Sequence, residues 1–130
     1  QYKLNKLVNL EGSFSATRGE NLTDNSPLYY VPPDKILLST EVYLSPFSIN
    51  LMHKKVFSQN RVGLYEETTP GYETYNLIGT YTIRSTQAIH KFILQIDNIF
   101  DRKYYNHLSR IKSIMPEKGR NIGFQYRLNF

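Results

Sequence analysis

The sequence predicts an all-β protein, an antiparallel up-and-down meander of six strands suited to a membrane wall. Three observations predict it. Six segments alternate apolar and polar residues with period two, and none has the spacing of three and four that a helix needs. The connections between them run short, long, short, long. The polar positions carry mostly Asn, Ser, Thr and Gln, where the outward face of a soluble sheet would carry more charge.

The first strand is expected over residues 6–18, with Val8, Leu10, Gly12, Phe14 and Ala16 against Asn9, Glu11, Ser13, Ser15 and Thr17. The second, over residues 34–44, sets Ile36, Leu38, Thr40, Val42 and Leu44 against Lys35, Ser39, Glu41 and Tyr43. The third, over residues 47–57, is less regular. Ile49 and Leu51 fall in phase with His53 and Lys55, so either a bulge intervenes or the upper part leaves the apolar zone. The fourth, over residues 75–84, aligns Tyr75, Leu77, Gly79, Tyr81 and Ile83. The fifth, over residues 88–98, aligns His90, Phe92, Leu94 and Ile96. The sixth, over residues 121–130, alternates without a break through Ile122, Phe124, Tyr126, Leu128 and Phe130.

Residues 45–47 and 85–87 are expected to be tight turns. Residues 21–33, 58–74 and 102–119 are long and rich in Gly, Pro, Asn and Tyr. Outer-membrane barrels have this asymmetry, with short turns on the periplasmic rim and long loops outside. A soluble antiparallel sandwich also alternates, but its long loops need not gather on one rim.

Composition narrows the classes further. With 40% hydrophobic and 14% aromatic residues, the chain has ample area to bury and is not expected to be disordered. No stretch approaches the roughly 18 apolar residues of a transmembrane helix. No signal segment opens the chain, so its start reads as internal to something longer. The absence of cysteine excludes a disulfide framework and a thiolate site. The net charge of +5 comes from 16 basic residues scattered among 11 acids. No run of Lys and Arg exceeds a pair such as Lys54-Lys55, so no nucleic-acid partner is expected. No nucleophile, base and orienting acid stand at motif spacing, so no enzyme and no cofactor are expected.

The C-terminal third is the specific part. Asn98-Ile99-Phe100-Asp101-Arg102-Lys103-Tyr104 and Pro116-Glu117-Lys118-Gly119-Arg120-Asn121 resemble the last loop and flanking strands of TonB-dependent outer-membrane receptors. Ile99 stands where Leu is usual. The segment SPLYYVPP, residues 26–33, is similar to a loop of the same family. The resemblance implies that residues 1–130 are the last six strands of a 22-stranded transmembrane β-barrel, about the size at which outer-membrane transporters carry a plugged lumen. At about 22 residues per strand and connection, such a barrel needs about four times this length. Phe124, Tyr126, Leu128 and the terminal Phe130 resemble the C-terminal signal that barrel-insertion machinery reads.

The function so implied is TonB-dependent uptake of a scarce nutrient, a ferric siderophore or other metal complex, across the outer membrane of a Gram-negative bacterium. The expected partners are outer-membrane lipid, TonB through a region preceding this chain, and an extracellular metal chelate as cargo. A soluble β-sheet module binding carbohydrate through Tyr-rich loops is the rival.

Among loop residues, Tyr29, Tyr30, Tyr65 and Tyr72 are candidates for an aromatic vestibule, with Arg61 and Arg110 attracting an anionic chelate. Tyr104, Tyr105 and Arg110 flank His107, which one reading makes a metal ligand together with Asp101 and nearby Tyr. A loop histidine packed by Tyr104 and Tyr105 is favoured, because one His is not a site. Asn98, Phe100, Asp101, Tyr104, Pro116, Gly119 and Arg120 are expected to shape the last loop, with Asp101 and Arg120 pinning it. Glu41, Lys91, Asp97, Gln125 and Arg127 are expected to face the lumen.

Overall fold

A computed structural model describes the backbone of residues 2–5 and 7–130 and the side chains from residue 7 onward. Lys6, where the first strand was expected to begin, lies outside the described residues. The strands are β1 (Tyr2–Asn5), β2 (Val8–Ser15), β3 (Glu20–Asn21), β4 (Ser26–Pro27), β5 (Lys35–Leu44), β6 (Phe47–Val56), β7 (Tyr72–Arg84), β8 (Ile89–Asp97) and β9 (Asn121–Asn129). Seven of them form one antiparallel sheet in the order β1-β2-β5-β6-β7-β8-β9, while β3 and β4 make a separate two-stranded ribbon.

The meander is therefore antiparallel throughout, as the alternation requires, but it has seven strands rather than six. Four residues of β1 are too short a run for period two to declare itself. β7 begins at Tyr72, three residues ahead of the expected start. β6 contains no bulge: Phe47 to Val56 pair without interruption with Leu44 to Lys35 on one side and Tyr81 to Tyr72 on the other. His53 and Lys55 instead sit where the apolar zone ends. The His53 ring stacks on Tyr75 with centroids 4.4 Å apart, and its Nε2 lies 3.2 Å from Glu73.

Register assembles the apolar residues into rows. Leu10, Thr40, Leu51, Leu77, Ile96 and Ile122 stand side by side across six strands. Val8, Val42, Ile49, Gly79, Leu94 and Phe124 make the next row. Towards the short turns follows an aromatic row of Phe47, Tyr81, Phe92 and Tyr126, with neighbouring centroids at 4.7, 6.3 and 5.1 Å. Tyr126 also meets His90 Nδ1 through its hydroxyl at 2.8 Å. At the other end of this face Tyr75 receives the edge of Phe100 at 5.3 Å. The opposite face carries Asn9, Glu41, Asn50 and Gln95 in one row and Thr82, Lys91 and Arg127 in another.

Nothing in the described chain covers the apolar face. Phe124 is 70% exposed and Ile122 64%, and among the described residues Val56 is the one buried hydrophobic. What holds the sheet together is its hydrogen-bonded ladder and same-face side-chain pairs rather than a core. The sheet is also open. β9 pairs with β8, β1 pairs with β2, and these two strands are its edges. Among the described residues the sheet does not close on itself, and the 22-strand count stays an expectation.

The tight turns at residues 45–46 and 85–88 share one rim; the latter is held by Ser85, whose N–H and hydroxyl both reach the Ala88 carbonyl. Residues 16–34, 57–71 and 98–120 share the other.

The aromatic row yields a stability prediction. Phe92 lies against Tyr81, Phe124 and Tyr126, whereas Phe47 meets Tyr81 alone. At roughly 0.5–1.5 kcal/mol per ring pair, Phe92→Ala in the native protein should destabilise by about 1–3 kcal/mol more than Phe47→Ala. Urea unfolding in detergent micelles measures the difference.

Candidate functional site

The three long connections meet above the sheet, and each has a local reason for its shape. The last loop leaves β8 through Asn98, which is 4% exposed and adopts φ 50°. Asn tolerates this left-handed region better than most residues. Its side-chain amide spans the turn, donating to the carbonyls of Arg102 at 2.9 Å and Lys118 at 3.4 Å and accepting from Arg102 N–H at 2.9 Å. Asp101, also left-handed at φ 51°, accepts from the Arg120 N–H at 2.7 Å and so joins the two ends of the loop. A Cβ on residue 119 would stand 2.7 Å from that carboxylate oxygen, which is why Gly119 precedes Arg120. Tyr104 stacks on Tyr72 at 4.3 Å, and its carbonyl accepts from Glu117 N–H.

The middle loop closes on itself where Gln59 and Thr69 exchange backbone hydrogen bonds. The Gln59 side chain reaches across to the Val31 carbonyl of the first loop at 2.9 Å. Tyr29 of the first loop lies flat on Gly63, where a Cβ would come within 2.7 Å of its ring, and its hydroxyl donates to the Leu64 carbonyl.

All three loops converge on one buried carboxylate. Glu66 accepts from Tyr30 N–H of the first loop at 3.2 Å and from Gly63 N–H of its own loop at 3.2 Å. From the last loop come the Lys112 ammonium at 3.3 Å and the His107 Nε2 at 3.2 Å. The side chains of Glu66, His107 and Lys112 are 6%, 1% and 9% exposed. Thr69 and Lys112 both approach His107 Nδ1, at 3.0 and 3.3 Å. An ammonium only donates, so Nδ1 is the acceptor and the proton belongs on Nε2. That Nε2 lies at ion-pair distance from Glu66 without the alignment of a hydrogen bond.

Electrostatics follow from this geometry. Burial alone would raise the Glu66 pKa, but donation from Gly63 N–H, Lys112 and Tyr30 N–H outweighs it and holds the carboxyl below its usual range. Burial pushes the His107 pKa down and Lys112 adds to that push, with Glu66 opposing. At neutral pH the cluster therefore holds one anion, one neutral imidazole and one cation. With the Lys112 ammonium 3.3 Å away, Nδ1 of His107 is engaged within the cluster.

Of the residues singled out from the sequence, Tyr29, Tyr30, Tyr65 and Arg110 come together. They line an open depression of about 410 Å³ with Leu64, Glu66, Glu67, Ser109, Lys112 and Ser113. Tyr65 is 96% exposed beside it. Arg61 is turned away, paired with Glu20 in a different depression. Tyr72 and Tyr104 are spent on each other, and Tyr105 lies under the Lys103 ammonium. Pro116 borders a third depression with Ile111 and Met115. His107 is buried beneath the site, and its polar partners are Glu66, Thr69 and Lys112. Sequence reasoning missed all three of these partners. Nothing local distinguishes Glu66, which turns inward, from Glu67, which does not.

A known structure shares this fold. The chain superposes on the copper transporter OprC with a TM-score of 0.81 at 22% identity, over 98% of this chain and 21% of that one. The likeness is one of fold, and this chain spans about a fifth of the length of OprC. No family model matches the sequence.

The Asn98 turn carries a prediction. Asn98→Ala removes a buried amide that bridges both ends of the last loop and leaves a left-handed residue with no compensating bond. The expected cost is about 1–3 kcal/mol, read as faster hydrogen exchange in residues 99–119 with the strand amides of β8 and β9 unchanged.

Proposed function

We propose that this chain is part of the wall and outer loops of an outer-membrane β-barrel transporter, energised through TonB, that imports a metal or metal chelate such as a ferric siderophore. The observation that carries the reading is the exposed apolar face, continuous in register across six strands and bordered by aromatic rings at both ends. In water such a face is a liability, whereas hydrocarbon is its proper solvent. The aromatic row beside the tight turns suits the inner membrane–water boundary, and Phe14, Tyr75 and Phe100 suit the outer one.

In this reading Glu41, Asn50, Lys91, Gln95, Gln125 and Arg127 face the lumen, and the long loops face outward. The similarity to a copper transporter supports a metal-bearing cargo. The depression offers ring faces from Tyr29, Tyr30 and Tyr65 beside Arg110, a surface suited to a planar anionic chelate through stacking and charge. No covalent step is required of these residues. Binding holds the cargo at the outer face, and the force that moves it inward enters through TonB. The pattern of Phe124, Tyr126, Leu128 and Phe130 suits recognition by the insertion machinery.

The test uses the native full-length protein in its own cells. Leu94→Arg puts a charge in the middle of the lipid face and should cost about 2–4 kcal/mol at the bilayer midplane, seen as loss of the heat-modifiable band in outer-membrane fractions. Gln95→Arg, one residue along on the other face, should insert normally. Equal tolerance of both, with recovery in the soluble fraction, would sink the membrane reading. Cells lacking the protein should accumulate less labelled copper or ferric siderophore, and cells lacking TonB should show the same deficit.

A further inference from the structure

The depression exists because three loops are held in contact, and the contact is mostly polar. Glu66 is the shared partner: one carboxylate ties the Tyr30 backbone, the Gly63 turn, Lys112 and His107 into a single unit. Remove its charge and Lys112 becomes a buried cation facing His107 and the ring of Tyr30, which lies 5.9 Å away. Add a charge to His107 and two cations share one buried space with a single anion. Nδ1 would then become a donor and could accept neither the Thr69 hydroxyl nor the Lys112 ammonium.

The other charged groups do not offset that change. Glu67 and Arg110 line the depression from the middle and last loops, carry opposite signs, and are exposed. The first loop contributes Tyr30 here, while its charged Glu20 is engaged by Arg61.

We propose that Glu66, His107 and Lys112 form an acid-opened latch that holds the three long loops together around the Tyr29–Tyr30–Tyr65–Arg110 depression. Closed loops bind a proton on His107 less readily than open loops do. Acidification therefore favours the open form, beginning as pH falls through the ordinary histidine value of 6.5. Glu66, also held below its ordinary value of 4.5, adds a second loss as pH falls further. The latch stands on loop geometry alone; that it controls cargo capture rests on the transport reading above.

The test exploits the absence of native cysteine. Spin labels on Leu22→Cys and Ile114→Cys, side chains 90% and 82% exposed on the first and last loops, report the loop separation by pulsed dipolar spectroscopy. In the full-length protein a narrow distribution is expected at pH 7.5, with a several-fold larger population of long distances at pH 5.5. His107→Gln should abolish most of this pH response. Glu66→Gln should give the broad distribution at both pH values. A retained heat-modifiable band shows in each case that the wall itself is folded. Unchanged distances between pH 7.5 and 5.5, or a full pH response in His107→Gln, would overturn the latch. Distances that open as expected while cargo binding stays constant would leave the latch standing and remove its role in capture.

Discussion

Everything in this structure depends on the backbone ladder, because there is no core to share the task. A soluble sheet is held by the layer packed against its apolar face. Here that face is bare, Val56 is the one buried hydrophobic among the described residues, and each of the longer strands is held by its neighbours. A ladder of this kind satisfies every internal N–H and C=O without water, which is the condition for crossing hydrocarbon. It also fixes register. A slip of one residue would exchange Leu94 for Gln95 and send the whole polar set of β8 to the apolar side.

The same economy explains the asymmetry between the rims. A tight turn such as Ser85 to Ala88 needs only one side chain to hold it. Beyond the short β3–β4 ribbon and the Gln59–Thr69 bridge, the long loops have no ladder to follow, so their backbone groups must find other partners. They find them in side chains: Asn98 and Asp101 at the base, Gln59 between the first two loops, and Glu66 where all three meet. Tyrosine serves the same end twice over, since Tyr29 covers Gly63 with its ring and caps the Leu64 carbonyl with its hydroxyl.

How much of this was legible follows from the range of each interaction. The strands were legible because alternation is local, and rows such as Ile122, Phe124, Tyr126 and Leu128 need only their own sequence to declare a face. β1 was not, because four residues carry too little period. In β6 the sequence left open a bulge or an exit from the apolar zone at His53 and Lys55; their pairing with Tyr75 and Glu73 on the next strand decides for the exit. The base of the last loop was partly legible, since Asn98 and Asp101 are chosen by local backbone geometry, whereas Gly119 answers to the Asp101 carboxylate across the loop. The Glu66 cluster was not. Its members lie 38, 46 and 5 residues apart in sequence, and a long-range contact between loops leaves no periodic trace. His107 was conspicuous as a residue type, but its role depends on partners that only the folded loops bring to it.

The choice of a polar junction has a physical consequence. Replacing a buried ion pair with well-packed apolar residues is often neutral or stabilising, whereas removing one partner is costly. An apolar junction between these loops would hold equally well at every pH. Glu66, His107 and Lys112 add little net stability over such a junction, yet their contact depends on one proton being absent from His107. A contact of that kind is strong when intact and readily released, which is what the proposed latch requires.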